Sequence, residues 1–186
     1  MPIAAAMPMV WPEGVFDGTR LPEDLQASTW VAIKVQPRCE KAVARRLMQT
    51  ADAYFLCMRT SVRMYQRRKV TTQIPLFPGY VFVAAGEEQL TTLWQDRQIS
   101  CTLRPESQEQ FLNELRSLHR LISCGVPLTP EEQLQPGQMA RITRGCLSGL
   151  IGTVVSNRGG VKLIVSVSLL GQGASVEVTP DMLERI

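Results

Sequence analysis

The sequence predicts an α+β protein in two parts, an N-terminal α/β sandwich and a small, closed or nearly closed C-terminal β-barrel. Three observations carry this. Strand-type and helix-type patterns alternate up to Gly125. The strongest helical period in the chain, Phe111, Leu115, Leu118 and Ile122 at i, i+4, i+7 and i+11, ends at that glycine, where a C-terminal cap belongs. Past a proline-rich stretch, about 50 residues hold four or five short alternating runs and no helical pattern.

The elements follow in order. Residues 1–28 are punctuated by Pro8 and Pro12, which break the apolar run a signal peptide needs, so they read as a flexible arm. "WVAIKV" (30–35) is β-rich and predicts a buried strand. Pro37 ends it, and Glu40 places negative charge near the N-terminus of a helix whose apolar face is Val43, Ala44, Leu47, Met48 and Ala51. Residues 54–76 fit two patterns. As a strand they align Arg59, Ser61, Arg63, Tyr65 and Arg67, and as a helix they align Arg59, Arg63 and Arg67. Thr60, Val62, Tyr65, Val70, Thr71 and Thr72 favour extended structure. Pro78-Gly79 fits the centre of a type II turn, with glycine taking the positive φ. "YVFVAA" resumes as a strand, 87–96 reads as a short helix, and 99–103 as another strand. Pro127, Pro130 and Pro136 then mark a stiff connector, and "NRGG" (157–160) marks a turn between later strands.

Composition narrows the function. With 45% hydrophobic and 20% charged residues, the 186-residue chain has the makings of a core, and its net charge of +3 confines any nucleic-acid role to a local patch. Five scattered cysteines without a C-x-x-C pair argue against zinc and against a closed disulfide framework, and they read as reduced thiols of a cytoplasmic protein. No stretch reaches the roughly 18 apolar residues that span a bilayer. His119 is the only histidine, "GQGASV" fails G-x-G-x-x-G at Val176, and the glycines of "GCLSGLIG" lack a following Gly-Lys-Ser/Thr. An enzyme is not expected, and neither a metal nor another cofactor is.

The pieces together resemble the NusG family of transcription elongation and antitermination factors, from Trp30 to Ile186. "WVAIKVQPRCEKAVARRL" is similar to the family's W-x-x-x-x-x-x-P-x-x-E strand-to-helix opening, "PLFPGYVFV" to a further element of its first domain, and "PGQMARITRGCLSGLIGTV" to a KOW motif. The resemblance implies an arm at 1–28 and an NGN-like, RNA polymerase-binding domain at 29–125, built as an antiparallel sheet with flanking helices. It further implies a linker at 126–135 and a KOW domain at 136–186, built as an SH3-like β-barrel. It implies docking on the clamp helices of RNA polymerase, with Trp30, Phe77, Pro78, Gly79, Tyr80 and Phe82 as parts or supports of that surface. Alternate residues of a strand face opposite ways, so some of these aromatics belong to the core. Arg59, Arg63, Tyr65, Arg67, Arg68 and Lys69 form the densest basic run, a patch suited to non-template DNA or nascent RNA.

In the KOW domain the resemblance implies Arg141, Arg144, Leu147, Leu150 and Ile151 as partner-binding, toward ribosomal protein S10 or Rho. Leucines stand where housekeeping members carry aromatics, which speaks against Rho and ribosome coupling, and "PLFPGYVF" with the arginine-rich run before it is similar to the specialised UpxY and LoaP groups. The expected protein is a monomer, away from membranes. The alternative is a ribosome- or RNA-associated KOW protein.

Overall fold

The computed structural model describes residues 7–16, 28–51, 53–132, 137–157 and 160–186. The rest of the N-terminal arm, part of the connector, and Arg158-Gly159 of the expected turn lie outside the described residues. The chain divides into two compact units, Met1–Cys57 with Phe77–Gln108, and Met58–Leu76 with Glu109–Ile186.

The first unit holds β1 (Val10–Trp11), β2 (Thr29–Val35), α1 (Glu40–Thr50) and β3 (Ala53–Phe55). After the excursion of β4 (Met58–Tyr65) and β5 (Arg68–Pro75) it continues with β6 (Tyr80–Ala85), α2 (Glu87–Leu93) and β7 (Ile99–Leu103). Its sheet has the order β1-β3-β6-β2-β7, antiparallel throughout. Strand β2, between β6 and β7, is buried on both faces, with Val31, Ile33 and Val35 on one and Trp30 and Ala32 on the other. Helix α1 packs on β3 and β6 and buries Val43, Ala44 and Leu47. Residues 10–16 of the arm contribute to this core. Val10 and Trp11 pair with Phe55 and Tyr54, and Val15 and Phe16 are buried. Four apolar side chains in a short segment make that burial favourable, at about 25 cal/mol per Å² of apolar surface.

Helix α2 is shorter than the sequence predicts. Beyond Leu93 the chain turns with i→i+3 bonds, Trp94, Gln95 and Asp96 donating to Thr91, Thr92 and Leu93. The hydroxyls of Thr91 and Thr92 bond back to the carbonyls of Glu87 and Glu88, a habit that weakens helix propagation.

The second unit contains the β4–β5 hairpin, α3 (Gln108–Ser123, whose first residue belongs to the first unit) and the strands β8 (Thr129–Glu131), β9 (Gln138–Ile142), β10 (Ile151–Asn157), β11 (Gly160–Val167), β12 (Gln172–Val178) and β13 (Leu183–Arg185). The buried stripe of α3 is Phe111, Leu115, Leu118 and Leu121. Ile122, expected in that stripe, is only half-buried, because the helix face closes on its neighbour. The six strands form one antiparallel sheet in the order β13-β9-β10-β11-β12-β8. Its two edges, β13 and β8, do not pair among the described residues, so the sheet is open where a closed barrel was one of the two expected forms. Strand β8 falls within the proline-rich connector. Thr129, Pro130 and Glu131 lie along the edge of β12, a place that tolerates proline. Gly152 of β10 has no room for a side chain, since a Cβ there would collide with the Ile164 carbonyl oxygen.

Candidate functional site

The turn between β5 and β6 is the best-defined feature of the first unit. Tyr80 N–H donates to the Phe77 carbonyl at 3.2 Å and Gly79 has φ 81°, the type II geometry expected of Pro-Gly. Both polar groups of Gly79 are used. Its N–H donates to Oε1 of Glu40 at 2.8 Å, and its carbonyl accepts from the Val35 N–H at 2.8 Å. Glu40 is almost fully buried, so this charge-assisted bond is sheltered from water. The turn is thereby fixed to the first residue of α1 and the last of β2. Its position leaves Pro78 exposed and Tyr80 half-buried, opposite the exposed Lys34 on β2.

Beneath it lies a chain of aromatic rings. Phe77 meets Phe82 at 6.3 Å, Phe82 meets Phe55 at 6.1 Å, and Phe16 reaches Phe55 at 5.3 Å and Trp30 at 5.4 Å. Trp30, Phe77 and Phe82 are at most 2% exposed, so all three are core side chains. They cannot touch a partner in this arrangement, and their place is to support Pro78 and Tyr80. Trp30 is also pinned through its backbone. β7 pairs with β2 only from Ala32 onward, and Gln108 takes its place at Trp30, accepting from its N–H and donating to its carbonyl, both at 2.9 Å.

The basic run forms a two-stranded hairpin. Its register puts Arg59, Arg63 and Tyr65, with Arg68 across from Tyr65, on one face. Lys69 lies opposite Met64 on the other face. Arg67 is not in the strand pattern. It shares the two-residue turn with Gln66, at φ 63° and 46°, the twist that a tight hairpin requires, and so stands at the tip. Arg63, Arg67, Arg68 and Lys69 are exposed, as is Tyr65, while Arg59 at the base is half-buried.

In the six-stranded sheet, the β9–β10 connection folds tightly. Ser148, Gly149 and Leu150 donate their N–H groups to Gly145, Ile142 and Leu147. This turns Leu147 and Leu150 inward, to 6% and 3% exposure. Arg141, Arg144 and Ile151 are exposed, with Arg141 3.9 Å from the Glu184 carboxylate. No cluster of three or more potential metal ligands exists among the described residues, and none of their helices is long and apolar enough to cross a membrane.

Sequence reasoning assigned Glu40 to the helix dipole and missed its clamp on Gly79. It also passed over Trp94, 64% exposed at the end of α2. An exposed tryptophan was not legible because the helical pattern there gave it no face.

A family model described as transcription termination factor NusG matches residues 28–134. Two solved structures are similar to the chain. One, "Domain interaction in Thermotoga maritima NusG", has 19% identity and a TM-score of 0.44, over 87% of this chain and 99% of the other. The second, "Crystal Structure of MjSpt4:Spt5 complex conformation B", has 16% identity and a TM-score of 0.29, over 85% and 97%. No curated protein matches.

Proposed function

Since this chain belongs to the NusG family of transcription factors, we propose that it is an elongation or antitermination factor that docks on the clamp helices of RNA polymerase with Pro78 and Tyr80. The observation that carries this reading is the clamped turn. Glu40 and Val35 hold Gly79, and the ring chain beneath leaves Tyr80 little freedom to lose on binding. Trp30, Phe77, Gly79 and Phe82 act as its support.

The hairpin is the proposed nucleic-acid surface. Arg59, Arg63 and Arg68 with Tyr65 on one face, and Arg67 at the tip, suit the backbone and a base of non-template DNA or nascent RNA. Residues 136–186 are proposed as a KOW domain of SH3-like form. The support is that β13, its last strand, returns to pair with β9, its first. Arg141, Arg144 and Ile151 offer its accessible partner surface, whether toward ribosomal protein S10, Rho or another factor. A specialised, operon-restricted role fits "PLFPGYVF" and the arginine-rich hairpin before it. The protein is read as non-catalytic, monomeric and cytoplasmic, with the arm at 1–28, the polymerase-binding domain at 29–125 and the linker at 126–135.

The test is binding of the full chain to purified bacterial core RNA polymerase. Tyr80→Ala should weaken it and Arg63→Gln/Arg68→Gln should leave the salt-resistant part intact. Loss through the arginines alone would favour the RNA-associated alternative.

A further inference from the structure

None of the five cysteines is among the residues of the three proposed surfaces. Cys57 is buried, and burial pushes its thiol well above the ordinary range, which makes it inert. Two others meet. Cys124 follows the end of α3, its N–H bonded to the Arg120 carbonyl at 3.1 Å. One turn earlier, the Arg120 guanidinium donates to the Ser148 carbonyl in the β9–β10 connection. That connection carries Cys146, whose side chain is exposed and close enough to the Cys124 thiol to raise its pKa. A second anchor holds the same helix to the sheet. Glu114 accepts from the N–H of Ser168 at 3.0 Å and from its hydroxyl at 2.6 Å. The thiol pair therefore sits in a junction fastened on both sides. Each cysteine also adjoins a glycine in the left-handed region, Gly125 at φ 67° and Gly145 at φ 80°. Glycine turns there without steric cost, so the backbone beside each cysteine can adjust as the sulfurs close to the roughly 2.05 Å of a bond.

We infer that Cys124 and Cys146 are a modification site, a dithiol that a low-molecular-weight disulfide such as glutathione disulfide oxidises to a bond between α3 and the β9–β10 connection. Cys146 attacks first as the thiolate. One sulfur–sulfur bond of the oxidant breaks, a mixed disulfide forms on Cys146, and one small thiol leaves. Cys124 then loses its proton and attacks the Cys146 sulfur, expelling the second small thiol. Two protein thiols are oxidised and one disulfide is reduced to two thiols. The order follows from the environment. Burial first, and then the neighbouring Cys146, pushes the Cys124 thiol up to about 11, so Cys124 holds its proton until the mixed disulfide has formed. The chemistry needs only this junction. Its consequence, that oxidation stiffens the connection between Arg144 and Ile151 and so limits how the partner surface adapts, rests on the KOW reading above.

The experiment treats the native full chain with oxidised glutathione, alkylates free thiols, and maps peptides without reduction. The expected product is a linked pair of Cys124 and Cys146 peptides, about 2 Da lighter than the two reduced peptides together, and absent from Cys124→Ser and Cys146→Ser. Amide exchange at Ser148, Gly149 and Leu150 should slow at least about tenfold on oxidation. A glutathione adduct that persists on Cys146, a link through Cys39 or Cys101, no reaction, or a disulfide that leaves those amides unchanged would each overturn the inference.

Discussion

Replacing Glu40 by alanine tests whether the clamp holds the turn. Glu40 is 4% exposed and the one protein partner of its carboxylate in the turn is the Gly79 N–H, 2.8 Å away. Alanine leaves that buried donor without an acceptor. A hydrogen bond to a charged group contributes about 1.5–3 kcal/mol, and the stranded N–H adds to the loss, partly offset by no longer burying a charge. A net cost of about 2–3 kcal/mol follows. With a urea m-value of about 1–2 kcal/mol/M, the midpoint should fall by about 1–2 M at unchanged m. Glu40→Gln keeps a neutral acceptor and should lose about 1 kcal/mol. Tryptophan fluorescence is the assay of choice, because all three tryptophans, Trp11, Trp30 and Trp94, lie in the first unit. An unchanged midpoint for Glu40→Ala, or equal losses for alanine and glutamine, would refute the clamp.

Three further outcomes are expected. Arg63→Gln/Arg68→Gln should reduce the slope of log affinity for single-stranded nucleic acid against log salt by about 1.4, measured by fluorescence anisotropy from low to moderate salt. Gly152→Val should destabilise the six-stranded sheet by about 4 kcal/mol or more, since its side chain meets the Ile164 carbonyl and Leu163, and thermal unfolding of the second unit reports it. Glu87 is held below the ordinary carboxylate range by its hydrogen bonds from Arg104, at 2.7 and 2.8 Å. Its contribution is therefore present above the unfolded carboxylate value and is lost as pH falls through the lower folded one. Glu87→Gln should flatten stability against pH in that acid window and nowhere else.

Local signals were legible in the sequence, and distant partners were not. The Pro78-Gly79 turn, the strand at 99–103 and the helix stop at Gly125 rest on residues within a few positions of each other, and all three appear as read. The clamp joins Glu40 to Gly79, 39 positions apart, and nothing in either neighbourhood announces it. Alternation could not say which face of β6 is covered, so Phe77 and Phe82 read as contact candidates until the ring chain placed them inside. The hairpin turn uses Gln66 and Arg67 where asparagine and glycine are the usual signal, which hid the turn and put Arg67 wrongly in the strand face. Strand β8 was hidden by Pro130, because an edge partner of β12 needs fewer donors than a central strand.

The most direct test of the proposed role is the dissociation constant of the full chain for core RNA polymerase, for wild type and Tyr80→Ala, at low and moderate salt. A half-buried aromatic on a fixed turn should act as a hot spot, so Tyr80→Ala should weaken binding about tenfold or more at both salts. Wild-type affinity in the variant, or no binding by the folded wild type, would contradict docking through this turn.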